Sequence, residues 1–315
     1  MSEKQQRQVT DHWSDYWARG PLTSLPDDFS GNYDAEIAAF WNARFRDLPE
    51  LACLLDICTG NGALALLAAE YAAGHQQRFE ITAIDAASIR PDLVANARPE
   101  LADYVADVKF LADMPMECFE GGDAQFDLAM SQYGIEYCDQ AQVAPIIARL
   151  LKPGAELALV CHAADSDMVS TMRHELTEYR RLDALQLSRS LRSWLQGQLD
   201  STRLREKLVR LAQAIFPEYR AKRSALFGFV LQAINQLVRL DERGLRARRD
   251  QIAQWLAQLD GGRQRLDDML RVNELLASPN WYQPYIDAGL VLQDHGDLLY
   301  RQQHHAGQWF VFRKA

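Results

Sequence analysis

The residues best equipped for chemistry in this 315-residue chain are carboxylates placed next to glycines. Leu54-Leu55-Asp56-Ile57-Cys58-Thr59-Gly60-Asn61-Gly62 is an apolar run that ends in an acid and opens into a tight glycine turn. Gly60 and Gly62 permit positive φ and close backbone approach, and a helix beginning at Gly62 offers unpaired N–H groups in its first turn. A second run, Phe79-Glu80-Ile81-Thr82-Ala83-Ile84-Asp85, also ends in a carboxylate. In a parallel sheet Asp85 would stand beside the glycine turn and could accept both hydroxyls of a ribose. The spacing Gly60-x-Gly62-x-x-Ala65 followed by Asp85 suits a dinucleotide, which keeps a nicotinamide-dependent oxidoreductase in view. Asp56 points the other way, because a carboxylate before the turn repels a pyrophosphate and attracts a ligand carrying an ammonium group. S-adenosyl-L-methionine, with both an ammonium and a sulfonium, fits that charge better.

Positioning these residues takes strands and helices in alternation. Residues 50–55 read as a strand buried on both faces, and residues 62–71 as a helix rich in alanine and leucine. The segments Val108-Lys109-Phe110-Leu111-Ala112-Asp113-Met114 and Phe126-Asp127-Leu128-Ala129-Met130-Ser131-Gln132-Tyr133-Gly134 read as two further strands, each with its turn. Leu150-Leu151-Lys152-Pro153-Gly154-Ala155-Glu156 reads as the helix end and turn before a fifth strand.

In this order the segments resemble those of the class I S-adenosylmethionine-dependent methyltransferases. Asp56-x-x-Thr59-Gly60-Asn61-Gly62 is similar to the first motif of that family, with Cys58 where a glycine is commoner. Tyr285-Ile286-Asp287-Ala288-Gly289-Leu290 and Gln308-Trp309-Phe310-Val311-Phe312-Arg313 resemble its last helix and closing strands. The resemblance implies an α/β, Rossmann-like fold: a mostly parallel seven-stranded sheet with helices on both faces. It implies S-adenosyl-L-methionine as cofactor, with Asp56, Thr59, Gly60, Asn61 and Gly62 at the turn and Asp85 and Ala86 at the ribose. Asp113 and Met114 would meet the adenine, and Ser131 and Gln132 would lie near the reacting end. Taken one by one, each residue also has a plainer reading: a tight strand-to-helix connection for the glycines, a helix cap for Asp85 and a loop acid for Asp113.

Methyl transfer chiefly requires alignment of nucleophile, carbon and leaving sulfur with water excluded. Where the acceptor must lose a proton, Tyr133, Glu136 and His162 at strand ends are the candidate catalytic groups. Tyr33, Tyr133 and His162 are the candidate substrate contacts, Tyr33 as a mobile one beside Gly31. For His162 a structural hydrogen bond is the plainer role. No Asn-Pro-Pro-Tyr clamp follows the fourth strand, which argues against methylation of base or glutamine nitrogens, and no Pro-Cys nucleophile is present for attack on a pyrimidine ring.

Domain organisation follows from composition. Residues 1–48 read as aromatic-rich helices covering the cofactor, residues 49–163 and 279–315 as the core, and 164–278 as a helical insert of four or five helices serving as a substrate cap. Leu204, Leu208, Leu211 and Ile215 show the helical spacing, as do Leu226, Val230, Ile234, Leu237 and Val238, and later Ile252, Trp255, Leu256 and Leu259. Residues 165–280 hold 20 Lys and Arg against 15 Asp and Glu (net +5), leaving 14 against 28 (net −14) elsewhere, for the chain's −9. The arginines suit a solvated face with local ion pairs better than an RNA-binding surface, since interleaved aromatics are sparse. The expected acceptor is a small or medium-sized metabolite; RNA or protein docked on the basic helices, or a cofactor-binding module without turnover, are the alternatives. Five cysteines without paired metal spacing predict no metal site and suit a reducing cytoplasm. The polar start and the lack of a long apolar run predict neither a signal peptide nor a membrane span, and the insert helices offer a surface through which two chains could pair.

Overall fold

A computed structural model describes residues 11–24 and 31–315. The rest of the predicted N-terminal helical segment, residues 1–10 and 25–30, lies outside the described residues. Seven strands form one sheet in the order β3-β2-β1-β4-β5-β7-β6. They are β1 (Leu51–Ile57), β2 (Arg78–Ile84), β3 (Val108–Leu111), β4 (Phe126–Gln132), β5 (Leu151–Cys161), β6 (Leu290–Tyr300) and β7 (His304–Lys314). The first five run parallel, and β7 pairs antiparallel with both β5 and β6. The sheet is therefore mostly parallel, in an α/β fold.

Alternation along the strands fills two cores. Leu54, Ile81, Leu128, Met130, Ala158 and Val160 pack on one face; Leu55, Ile57, Ile84, Ala129, Leu157 and Leu159 pack on the other. Side chains of successive residues point to opposite faces, so Asp56, between Leu55 and Ile57, shares the face of Leu54. That face is covered by α1 (Ala35–Arg46), whose Trp41 and Phe45 are wholly buried, and by α2 (Ala63–Gly74). On the opposite face lie α5 (Gln140–Leu150) and α12 (Gln283–Asp287), carrying the buried Tyr285. Between β2 and β3 run α3 (Pro91–Ala97) and α4 (Ala102–Asp107). Burying an aromatic side chain of this size contributes about 2–3 kcal/mol, so these two layers hold the sheet rigid beneath the loops at its carboxyl edge.

Strand β5 begins earlier than its turn-like sequence suggests. Leu151 pairs with Phe126, and pairing resumes only at Glu156 with Leu128. The Pro153-Gly154 turn is therefore an irregularity within the strand, with Gly154 at φ +78°.

Two compact units divide the chain: the described residues up to Val169 with Asp268–Ala315, and Ser170–Asp267. From Asp167 to Leu276 run α6 (Asp167–Ala184), α7 (Leu187–Leu195), α8 (Ser201–Lys222), α9 (Ala225–Val238), α10 (Glu242–Ala247) and α11 (Arg249–Leu276). Six helices stand where four or five were expected, the short α10 lying between two of the apolar stretches. Asp200, Ser224 and Asp241 accept the backbone N–H groups of Arg203, Phe227 and Gly244 and so start α8, α9 and α10. Most of the expected helical stripe is buried, including Leu204, Leu208, Ile215, Val230 and Ile234, while Val238 and Trp255 are half-buried. Several basic side chains of this unit are paired, Arg181 with Glu218, Arg192 with Asp260, Arg246 with Glu242 and Arg263 with Asp183. No described helix is long and apolar enough to cross a membrane.

Candidate functional site

Strand ends and the loops after them enclose a cavity of about 960 Å³, at the upper end of the range for small-molecule sites. Three non-glycine residues there hold left-handed backbone conformations: Cys58 after β1 (φ 59°), Asp113 after β3 (φ 54°) and Tyr133 after β4 (φ 55°). All three line the cavity. Each such conformation costs of order 1 kcal/mol or more and persists where surrounding structure enforces it. At Cys58 it also explains why glycine suits the position. Cys58 in turn dictates its neighbour: a Cβ added to Gly134 would lie 2.4 Å from the Cys58 Cβ and 3.2 Å from its carbonyl oxygen. Gly134→Ala is therefore expected to cost about 2 kcal/mol of stability, measurable as a drop in melting temperature. Cys58→Gly in the same chain should recover part of that loss, since the closest contact goes while those with the Cys58 carbonyl oxygen (3.2 Å) and the Ser131 hydroxyl (3.3 Å) remain; an unchanged melting temperature for Gly134→Ala would refute the packing.

Among the expected cofactor residues, Thr59, Asp85, Ala86, Asp113, Met114 and Gln132 lie on the cavity wall. Asp85 accepts from the backbone N–H of Gly60 (2.8 Å) and of Ala87 (2.8 Å), which fixes the glycine turn against the end of β2. A carboxylate has about four acceptor positions, so capacity remains for further donors. Burial raises the Asp85 pKa to about 6, partly offset by the bonds from Ala87 and Gly60. Asp113 accepts from the Ser88 hydroxyl at 2.6 Å. The indole N–H of Trp41 donates to Gln132 Oε1 at 2.7 Å; this leaves Gln132 Nε2, a buried donor, without a partner among the described residues.

The other expected cofactor residues build the turn from behind. Asp56 is buried and is not on the wall. Its Oδ2 accepts from Thr59 Oγ1 (2.5 Å) and from the Ala65 N–H (3.1 Å), tying β1 to the first turn of α2. Burial raises its pKa to about 7 against those two bonds. Asn61 has its amide engaged three ways, donating to the carbonyls of Trp17 (3.0 Å) and Pro21 (2.8 Å) and accepting from the Arg90 N–H (2.7 Å). The Ser131 hydroxyl donates to the Ile57 carbonyl. A Cβ on Gly60 would lie 2.5 Å from the Trp17 ring, and one on Gly62 2.7 Å from Phe110, so both glycines admit aromatic covers.

Of the candidates for proton transfer and substrate contact, Tyr33, Tyr133 and Glu136 line the cavity and His162 does not. Tyr33 is buried, and burial, with Tyr133 next, pushes its phenol well above the ordinary value. Tyr133 donates its hydroxyl to the Ala306 carbonyl at 2.9 Å, and its ring lies 4.8 Å from the His162 ring. Glu136 is 1% and His162 4% exposed. Glu136 Oε1 is held by the His162 backbone N–H (3.1 Å) and lies 2.7 Å from His162 Nδ1. The other oxygen, Oε2, is buried and receives no N–H or O–H donor among the described residues, and the buried Cys161 thiol, pushed up by burial and then by Glu136, stands beside the carboxylate. Behind the wall, His162 thus orients the carboxylate.

Sequence reasoning passed over several wall residues. Trp13 and Trp17, within the aromatic-rich segment expected to cover the cofactor but not singled out there, line the cavity and stack on each other with centroids 6.1 Å apart. Tyr137 meets Trp13 edge to face at 5.7 Å. Arg271, Val272 and Leu275 come from the last turns of α11, a segment the periodicity assigned to the insert. Cys58 and Cys138 also line the cavity, their sulfurs 3.7 Å apart. Among the described residues no group of three or more His, Cys, Asp or Glu side chains is placed to hold a metal ion.

Residues 54–154 match the family described as "Methyltransferase domain". No curated protein sequence matches the chain significantly. Similar solved structures include the YcgJ protein of Bacillus subtilis, at 22% identity and TM-score 0.35, covering 45% of this chain and 58% of that one. Another is a geranyl diphosphate C-methyltransferase of Streptomyces coelicolor (13%, TM-score 0.37, covering 50% and 64%). A third is a 1,6-didemethyltoxoflavin-N1-methyltransferase of Burkholderia thailandensis (17%, TM-score 0.38, covering 52% and 66%). This chain therefore spans less than two thirds of the length of each.

Proposed function

We propose that this chain, whose residues 54–154 match a methyltransferase domain, is a class I enzyme that transfers the methyl group of S-adenosyl-L-methionine to a small or medium-sized metabolite. The observation that carries the reading is the shared wall of Thr59, Asp85, Asp113 and Gln132 around one cavity at the carboxyl edge of the parallel strands. Asp85 supplies carboxylate oxygens for a vicinal diol, and Asp113 an acceptor for an exocyclic amino group. Gln132 Nε2 supplies a buried N–H in want of a partner. These are the acceptors and donor that an adenosine bearing an amino-acid tail requires, so the chain's residues fit the cofactor. When bound, that cofactor supplies an electrophilic methyl on a cationic sulfur. The protein's part is to orient it, to keep water out with the Trp13, Trp17 and Tyr33 wall, and to place Glu136 Oε2 for a proton.

Net negative charge along the wall favours a cationic cofactor over a dinucleotide, which carries an anionic pyrophosphate. The test is ligand-dependent stabilisation. S-adenosylhomocysteine at 100 times its dissociation constant should add about 2.7 kcal/mol to the folded state and raise the melting temperature, whereas NAD should not. Stabilisation by NAD alone would overturn the reading.

A further inference from the structure

The acceptor's chemical class can be read from what the cavity offers and lacks. Among the described residues, five carboxylates line it, Asp85, Asp113, Glu117, Glu136 and Asp139, against one guanidinium, Arg271. That guanidinium is itself paired with Asp268 at 3.0 Å, so it adds little positive potential. Glu117 accepts from the Asp139 N–H, and Asp139 caps the first turn of α5; both stay where they are whatever enters. Glu136 differs from these in keeping a buried oxygen without an N–H or O–H donor among the described residues. Tyr137 beside it in sequence keeps a buried hydroxyl in the same condition, and its ring faces Trp13 edge to face. A buried carboxylate oxygen left without a donor costs free energy that an entering N–H or O–H group regains. An anionic guest would add charge to a wall already negative, and a cation would relieve it. Aromatic faces favour an organic cation further.

We propose that the methyl acceptor is a small organic amine, bound as its ammonium ion, with Glu136 Oε2 receiving a proton from the nitrogen and Tyr137 and Trp13 contacting the cation. The proposal rests on the methyltransferase reading. In the balanced step, the ammonium first gives one proton to the Glu136 carboxylate. The freed nitrogen lone pair then bonds to the methyl carbon as the carbon–sulfur bond breaks, its electron pair going to sulfur, which becomes a neutral thioether. The product is again an ammonium, one methyl richer, and Glu136 returns its proton to solvent.

The test compares three probes of like size and different charge on the full-length protein saturated with S-adenosylhomocysteine. Benzylamine, benzyl alcohol and benzoate are titrated by calorimetry and thermal shift. Benzylamine is expected to bind at least tenfold tighter than either of the others. Glu136→Gln should remove that preference while S-adenosylhomocysteine binding persists, which also establishes that the variant is folded. Tyr137→Leu should weaken benzylamine about 3- to 30-fold. Benzyl alcohol binding as well as benzylamine would point to a hydroxyl acceptor and overturn the proposal, as would a preference for benzoate or no response to benzylamine. If S-adenosylhomocysteine itself fails to bind, the methyltransferase reading falls instead.

Discussion

Asp85→Ala is expected to weaken S-adenosylhomocysteine binding at least 100-fold, the largest loss for any single change on the cofactor side of the cavity. Two effects combine. The carboxylate accepts from Gly60 and Ala87 in the free protein, so its removal releases the glycine turn from the end of β2. It also removes the acceptors proposed for the ribose, and charge-assisted bonds of this kind contribute about 1.5–3 kcal/mol each. The same residue predicts a pH dependence. Burial holds its pKa near 6, above the ordinary 3.8. In the free protein the folded state thus binds the Asp85 proton more tightly than the unfolded state. Ionising this group costs stability as pH rises from about 4 through 6. Asp56, raised to about 7 by burial, acts in the same direction over a slightly wider range. A cationic ligand favours the ionised form, so its binding should release protons and its affinity should fall as pH drops through about 6. Calorimetry in buffers of different ionisation enthalpy measures both. Affinity independent of pH between about 5 and 8 would contradict the Asp85 contact.

The strands and the glycine turn were legible because their signals are local. Alternation in Leu54-Leu55-Asp56-Ile57 and the glycines after it are contiguous in sequence, and the two-core packing follows directly from that alternation. Asp56 was legible as important but not as to where it would point. Its alternation with Leu55 and Ile57 aims it inward, where Thr59 and Ala65 engage it, so its charge acts from beneath the turn and not on the cavity surface. The wall contributed by Trp13, Trp17, Arg271 and Val272 was not legible. These residues lie far from the motifs in sequence, and a tryptophan in an amphipathic segment looks the same whether it packs on a core or lines a cavity. The clash a side chain at Gly60 would make with Trp17, and the Asn61 amide's bonds to the Trp17 and Pro21 carbonyls, expose the connection for the tryptophan. The caps Asp200, Ser224 and Asp241 fall outside the apolar stretches, and the six-residue α10 that Asp241 starts is too short to show a stripe of its own.

Glu136→Gln is expected to lower kcat by about 100- to 10,000-fold, the range for losing a positioned general base, with S-adenosylhomocysteine affinity changed less than about threefold. The contrast follows from how the side chain is held. His162 occupies Oε1 through both its backbone N–H and its ring, and a glutamine oxygen can keep accepting there. The amide nitrogen would then stand where Oε2 stood and would donate to the acceptor instead of taking its proton. His162→Ala should act through the same carboxylate: Oε1 loses the ring contact but keeps the backbone bond, so kcat falls less than in Glu136→Gln. Its effect should be nearly absent when Glu136 is already glutamine, because residues acting as a unit are strongly non-additive. Single-turnover methyl transfer to an amine acceptor, followed in the wild type, both single variants and the double variant, checks both. Retention of more than half the wild-type rate in Glu136→Gln would remove Glu136 from proton transfer and leave it the structural partner of His162.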